Sequence, residues 1–589
     1  MQDAVRGRPI LACLPDRLRD VESGSSQPEG MVGLSAWLTA SIERRPALWL
    51  LGLLLMAAVP RLVQASRIEV LCPDGAFYVT LAEQLEQGQI SASNSAYGFN
   101  VYTLTLALLH RAGLDWETAA KCWGVLCGTL VALPLFGWVR RQFNPSLALV
   151  ACCLYAFHPK MIEWSGEVVR EATFWLLFTS TLYFSWRAAR EGRLRYFAAA
   201  GVLLSLAVHT RFEGWFLSVP LLLWTARRMW YAPPLRRRLC GGLVVAAAAY
   251  PIVLGFLLQI YGMREWPDSF HRVQYVRDWL VSLVSDSEAP TRKTRPAFDP
   301  ADILVLRNPR VAEALTVSGA ALPVALRYMP SLSEAAALIE RDRHCTVFEL
   351  AGIFLKTLVR GFTPLYTVLL VIGAAVSWPL CRRGDVLALL LGCGLTLGGM
   401  WIHLWVAEES SSRYPLSVAI ACAPLAAIGT VVLGQRIAVW NARLWRRTPA
   451  PQVGVASVLA VVAVVGVLDA LDTRYGSRVA KAELGRFLLT RLGADAQIVG
   501  PLQWRMAGFY AQGEYQPLPE NDDFYRTMLT EFIVDSQADA VLVSEDHFPR
   551  EHVPALMAMR DQLGLRLVDE QQLPPGCRGE VMVLLREVP

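Results

Sequence analysis

Asp74 is the first residue whose surroundings suggest chemistry. It stands between Pro73 and Gly75, just past the first apolar stretch, where a helical pattern begins at Ala76. A carboxylate so placed can serve as a general base for an acceptor hydroxyl or amine; the plain alternative is an aspartate capping a helix. A second group is Arg413-Tyr414-Pro415, which follows Glu408 and Glu409. The fork of Arg413 matches a phosphate through paired hydrogen bonds, with Tyr414 beside it, although an Arg–Tyr pair also anchors helices at a membrane interface. A third is Glu167, Arg170 and Glu171, whose two acids are four apart and so placed on one helical face. They would hold a sugar amine, a hydroxyl or a metal, or simply favour a helix N-terminus. Arg211 and Glu213, in the charged corner His209-Thr210-Arg211-Phe212-Glu213-Gly214, read most simply as a local ion pair. His403 precedes Arg413 by ten residues and is placed near the same site, though a single histidine is as readily structural.

Those residues need a frame, and the composition describes one. Of 589 residues 54% are hydrophobic and only 18% charged, below the quarter usual for soluble chains. Apolar runs alternate with short Arg-rich loops, so the expected fold is an α-helical polytopic membrane protein. Eleven spans are expected, at about 47–63, 117–138, 145–160, 168–187, 196–209, 213–228, 239–261, 362–380, 385–405, 415–434 and 452–469. Arg-rich loops place the N-terminus in the cytoplasm and the C-terminus outside. Residues 1–45 read as a cytoplasmic tail and 46–470 as the membrane body. That body includes an outer loop 66–115 with interfacial helices at about 76–85 and 100–109, bearing Phe77, Tyr78, Tyr97, Phe99 and Tyr102, and a long outer loop 262–360. Residues 471–589 read as a small extracytoplasmic α/β domain with strands at Gln497–Gly500, Ala540–Ser544 and Val581–Leu585 and helices near 478–492, 521–537 and 552–563. This domain carries no Gly-rich phosphate loop and reads as a cap or a partner-contact domain.

Net charge +5 reflects basic loops between spans rather than nucleic-acid binding. Most of the 12 Cys lie in apolar runs without metal-site spacing; Cys72, Cys345 and Cys577 fall outside the spans and leave any disulfide pairing open. Charge collects at the outer ends of spans rather than at midplane breaks, which favours an enzyme with a cleft at the membrane surface over a transporter.

Together these clusters resemble the C-type superfamily of membrane glycosyltransferases, in the bacterial branch of protein O-mannosyltransferases and the lipid A aminoarabinose transferase. The likeness rests on Pro73-Asp74-Gly75-Ala76-Phe77-Tyr78, on Glu171 within Val168–Phe174, on Gly201–Leu206 leading into Thr210–Gly214, and on Arg413-Tyr414-Pro415 before a span containing Pro424. It covers about residues 45–470. The resemblance implies transfer of a sugar from a polyprenyl-phosphate donor to a lipid, glycan or protein acceptor on the outer face of a bacterial inner or plasma membrane. It implies Asp74 as base in an inverting reaction, Arg413 and Tyr414 at the donor phosphate, and Glu167, Glu171, Arg211 and His403 around the substrate. Many relatives carry a second acid where Gly75 stands here, so no Asp–Glu pair supports a divalent metal and no obligatory cofactor is expected. Two other readings compete: a flippase or transporter of lipid-linked sugar, and a non-catalytic envelope assembly protein working through its C-terminal domain.

Overall fold

The computed structural model describes residues 40–88 except 43, 100–260, 347–378, 384–407, 411–445, 451–472 and most of 476–586. Outside them fall the expected tail to residue 39, Tyr97 and Phe99, the loop 262–360 up to residue 346 with Cys345, Glu408 and Glu409, and most of the expected helix 521–537. The chain divides into two compact units.

The helical unit begins with α1 (Pro46–Arg67), resumes with α4 (Trp116–Leu130), α5 (Ala132–Gln142), α6 (Pro145–Ala156), α7 (Pro159–Gly166), α8 (Glu171–Glu191), α9 (Leu194–Val208), α10 (Ser218–Tyr231) and α11 (Arg236–Ile260), and ends with α12 (Val347–Phe362), α13 (Pro364–Val376), α14 (Gly384–Ala407), α15 (Leu416–Trp445) and α16 (Pro451–Leu471). Each of the eleven expected spans falls on one of these helices or on a pair of them. Among the described residues, six helices are long and apolar enough to cross a membrane, or up to eight if two bent pairs each count as one span.

The bends have local causes. Residues before a proline avoid the helical region, and proline itself has no N–H to continue the ladder. His158 is therefore extended before Pro159, and α6 and α7 meet at 57°. Thr363, at φ 64° before Pro364, separates α12 from α13 at 95°. α15 is buried along most of its length and is the axis of the unit. It meets α13 backbone to backbone: a Cβ on Gly373 would overlap the Leu425 carbonyl and one on Gly429 the Leu369 carbonyl. Small residues allow such contact between membrane helices.

The second unit pairs α2 (Pro73–Glu86) and α3 (Val101–Arg111) with the C-terminal segment. That segment holds α17 (Gly476–Leu492), β1 (Gln497–Gly500), α18 (Arg505–Tyr510), β2 (Glu514–Pro517), β3 (Ala540–Ser544), α19 (Val553–Met559), β4 (Leu565–Leu567) and β5 (Val581–Arg586). The sheet order is β2-β1-β3-β5-β4, with β1 parallel to β2 and β3, and β5 antiparallel to β3 and β4. Val499, Val541, Val543 and Leu584 pack into one core and Ile498, Ala540, Leu542 and Val583 into another, so both faces are covered. That double burial makes β3 an unbroken apolar strand. β2 and β4 go beyond the strands expected. Cys72 and Cys577 are both buried and are not joined to each other by a disulfide.

Candidate functional site

The helical unit gathers charge at the start of α8. Glu171 is its first residue and is 1% exposed. Arg211 leaves the end of α9 in an extended conformation, just before a 3-10 turn at Phe212–Leu217, and is 5% exposed. Its Nη1 donates to Glu171 Oε1 at 2.6 Å, while Nε and Nη2 donate to the two carboxylate oxygens of Glu213 at 3.2 and 2.6 Å. Arg413 arrives from the turn before α15 and places Nε 3.4 Å from the same Glu171 oxygen. One carboxylate therefore bridges two guanidiniums from different ends of the chain.

Around this core lie aromatic faces. The Arg413 guanidinium is 5.5 Å from the Trp164 ring and 5.6 Å from the Tyr414 ring, and Arg211 is 5.2 Å from Tyr414. His403, exposed on α14, meets Tyr414 edge to face at 5.7 Å. Arg170 Nη1 donates to the Thr210 carbonyl at 3.1 Å, which ties the start of α8 to the Arg211 corner. Glu171, Arg211, Arg413, Tyr414 and His403 are thus brought together.

Glu213 lies in the 3-10 turn Phe212–Leu217, because the helix expected from 213 begins only at Ser218. Burial raises its carboxyl, and the Arg211 guanidinium outweighs that, holding the group down at about 2. Burial works equally against the charge on Arg211, and Glu213 and Glu171 more than restore it. The cluster is a charged network, kept so by its own members.

Glu167 corrects the reading of the sequence. It sits after α7 in an extended conformation (φ −77°, ψ 155°) and is followed by a non-helical stretch up to Arg170. Glu167 and Glu171 therefore do not share a helical face. β-Branched Val168 and Val169, both buried, disfavour continuing the helix there, and the four-residue spacing carries no helical meaning.

Three features went unread in the sequence. Trp164 Nε1 and Glu171 Oε2 are buried and have no hydrogen-bond partner among the described residues. Arg61, in the middle of an apolar run, is fully buried. It donates to the Ala57 carbonyl at 2.8 Å, the Ala156 carbonyl at 3.2 Å and the Ser165 hydroxyl at 3.2 Å, which binds α1 to both sides of the α6–α7 bend. A lone Arg in an apolar span was the available signal.

Asp74 belongs to the other unit. It is the second residue of α2, half-buried, and Cys72 rather than Asp74 is the N-cap, its Sγ accepting from the Gly75 N–H at 3.3 Å. The segment is tethered to the C-terminal part of its own unit. The Leu71 N–H donates to Tyr510 Oη at 2.9 Å, Val70 packs with Ala482 and Met506, and Arg505 lies 5.5 Å from the Phe77 ring. Among the described residues no group of three or more His, Cys, Asp or Glu is placed to hold a metal ion. A separate cavity of about 420 Å³, lined by Leu55, Val59, Val63, Phe157 and Val467 among others, is apolar throughout.

Residues 99–254 match the model of the dolichyl-phosphate-mannose-protein mannosyltransferase family. Comparison with curated protein sequences gives no match. Among solved structures, the chain is similar to ArnT from Cupriavidus metallidurans bound to undecaprenyl phosphate, at 14% identity over 91% of this chain and 97% of that one, with a TM-score of 0.51. It is similar also to the oligosaccharyltransferase of Archaeoglobus fulgidus in the apo form, at 14% identity over 85% of this chain and 70% of that one, with a TM-score of 0.46.

Proposed function

We propose, on the premise that this chain belongs to the C-type membrane glycosyltransferases that use polyprenyl-phosphate sugars, that it moves one sugar from such a donor to an acceptor on the outer face of the membrane, with inversion at the anomeric carbon. The observation that carries the reading is the pair of orphaned polar atoms beside Arg413, Trp164 Nε1 and Glu171 Oε2. Buried polar groups are ordinarily satisfied, and an unsatisfied donor and an unsatisfied acceptor, each on a residue beside the same cation, describe a place for a polar ligand.

In this mechanism the lipid phosphate is already a leaving group. Arg413 stabilises the charge that develops on it as the glycosidic bond breaks. Arg211, locked between two acids, holds Glu171 and through it Arg413 in place. Trp164 and Glu171 orient the sugar hydroxyls, and Tyr414 with His403 forms the wall beside them. Asp74 takes the proton of the acceptor hydroxyl or amine as the acceptor oxygen or nitrogen attacks the anomeric carbon from the face opposite the phosphate. Its assignment rests on the resemblance and on its place in α2, Arg413's on the cluster. The undecaprenyl phosphate bound to the ArnT of similar fold supports a prenyl carrier here, and the apolar cavity suits a hydrocarbon chain. With Gly75 next to Asp74, no obligatory metal enters the mechanism.

The test is sugar transfer in liposomes holding the full chain, with a panel of polyprenyl-phosphate sugars, wild type beside Asp74→Asn. Wild type consumes one donor and the variant loses about 100- to 10,000-fold, the usual contribution of a general base. Equal consumption by both would remove Asp74 from the mechanism. Lipid-linked sugar crossing the bilayer without transfer would replace the enzyme by a flippase. EDTA leaves the rate unchanged; a loss restored by one divalent ion would make the metal obligatory.

A further inference from the structure

We propose that the arginine–tyrosine cluster where α5, α8 and α9 meet binds the phosphate of an anionic phospholipid headgroup. α8 begins at Glu171, in the cluster above, and its 21 residues end at Glu191. At about 1.5 Å per residue the helix spans roughly 30 Å, the thickness of the hydrocarbon core, so its far end lies at the opposite headgroup level.

At that end Tyr183 Oη accepts from Arg141 Nη1 at 2.8 Å and from Arg187 Nη1 at 3.2 Å. Tyr196 Oη accepts from Arg187 Nη2 and, at 3.0 Å, from Arg195 Nη2. The guanidiniums also lie on the rings, Arg141 5.3 Å from Tyr183 and Arg195 4.9 Å from Tyr196. Each phenolic oxygen thus has two donors on its lone pairs, and among the described residues neither hydroxyl donates to anything. One acid serves the group: Glu191 pairs with Arg187 at 2.8 Å and with Arg193 at 3.6 Å. Arg195 makes no ion pair with an acid among the described residues, and Arg141 acts on Glu191 through its field without forming a contact pair.

A loop that only sets topology needs positive charge in water. It does not need guanidiniums folded onto two tyrosine hydroxyls. Surplus cations beside two O–H donors call for an anion with several acceptor oxygens, and arginine forks match phosphate in particular. The lipid is favoured over a soluble phosphate by position. The tyrosines sit where aromatic side chains line a membrane interface, and Leu194, 53% exposed, offers an acyl chain an apolar neighbour.

The experiment is native mass spectrometry of the full chain equilibrated with mixed micelles of phosphatidylglycerol and phosphatidylcholine. Two exposed residues are altered together, Arg141→Gln with Arg195→Gln, and separately the buried Tyr196 is altered by Tyr196→Phe, which keeps its ring in the core. Wild type retains phosphatidylglycerol over phosphatidylcholine by about tenfold, equivalent to about 1.4 kcal/mol; the double variant loses that preference and Tyr196→Phe weakens it. No preference in wild type, or one unchanged in the double variant, overturns the proposal. So does displacement of the lipid by millimolar inorganic phosphate, which would make the ligand a free anion. Lipid retention is read without any sugar transfer, so the result stands apart from that of the transferase test.

Discussion

Arg211 and Arg413 share one carboxylate, yet their surroundings assign them different work. Arg211 is 5% exposed and held by three hydrogen bonds to two acids. Arg211→Met strands Glu171 and Glu213, and breaking a buried pair costs about 3–5 kcal/mol; thermal unfolding in detergent should show the loss. Arg413, 17% exposed, approaches Glu171 at 3.4 Å. Arg413→Gln should change the unfolding midpoint little, by about 1 kcal/mol or less as for a partly exposed pair, and lower kcat/KM for the donor. Glu213 predicts a pH window. Its folded value, about 2, lies below its ordinary 4.5, so its stabilisation is complete above that ordinary value and drains away as the pH falls toward 2. The unfolding midpoint should hold from pH 8 to 5 on this account and fall below it, and Glu213→Gln should blunt that fall. The types and loop positions of Arg211, Glu213 and Arg413 were legible in the sequence. The orphaned Trp164 Nε1 was not, because whether a donor is satisfied depends on neighbours distant in the chain.

At the scale of elements, the segment bearing Asp74 gains its order from residues more than 400 positions away. The Leu71 N–H reaches Tyr510 Oη, and Arg505 covers Phe77. Tyr510→Phe leaves that N–H without its acceptor, a penalty of about 1–3 kcal/mol confined to the anchor. Hydrogen exchange at residues 70–78 should quicken and kcat should fall, while the sheet keeps its protection; unchanged exchange there would deny the C-terminal segment this positioning role. Helix α2 was legible from Pro73 and the apolar pattern after it. The missed strands β2 and β4 are three or four residues long and show no clean alternation, since pairing partners rather than local propensity create them. Glu167 was misplaced because a spacing of four implies a shared face only within an unbroken helix.

For the whole molecule, alternation of the helices is the organising fact. Counting from Arg44 and Arg45, successive spans carry Arg140 and Arg141, then Arg187 to Arg195, then Arg227 to Arg238, then Arg436 and Arg443 to one end. The same count carries Glu171, Arg211, His403 and Arg413 to the other. A reporter active only outside the cytoplasm should therefore be inactive when fused after Arg443 and active when fused after Leu471; the reverse pattern would invert the proposed topology. Hydropathy runs and basic loops determined by themselves that this is a multi-span helical membrane protein, and which charged corners share an end. Both follow from the cost of placing charge or unpaired backbone in hydrocarbon, which acts on each segment separately. Only the tertiary structure decided which corners touch, that Glu171 bridges two arginines, that Arg61 secures the α6–α7 bend, and that the C-terminal helices hold the Asp74 segment. Those depend on side-chain packing between segments far apart in the chain, where a shift of a few ångströms makes or breaks a hydrogen bond and no local pattern records the outcome.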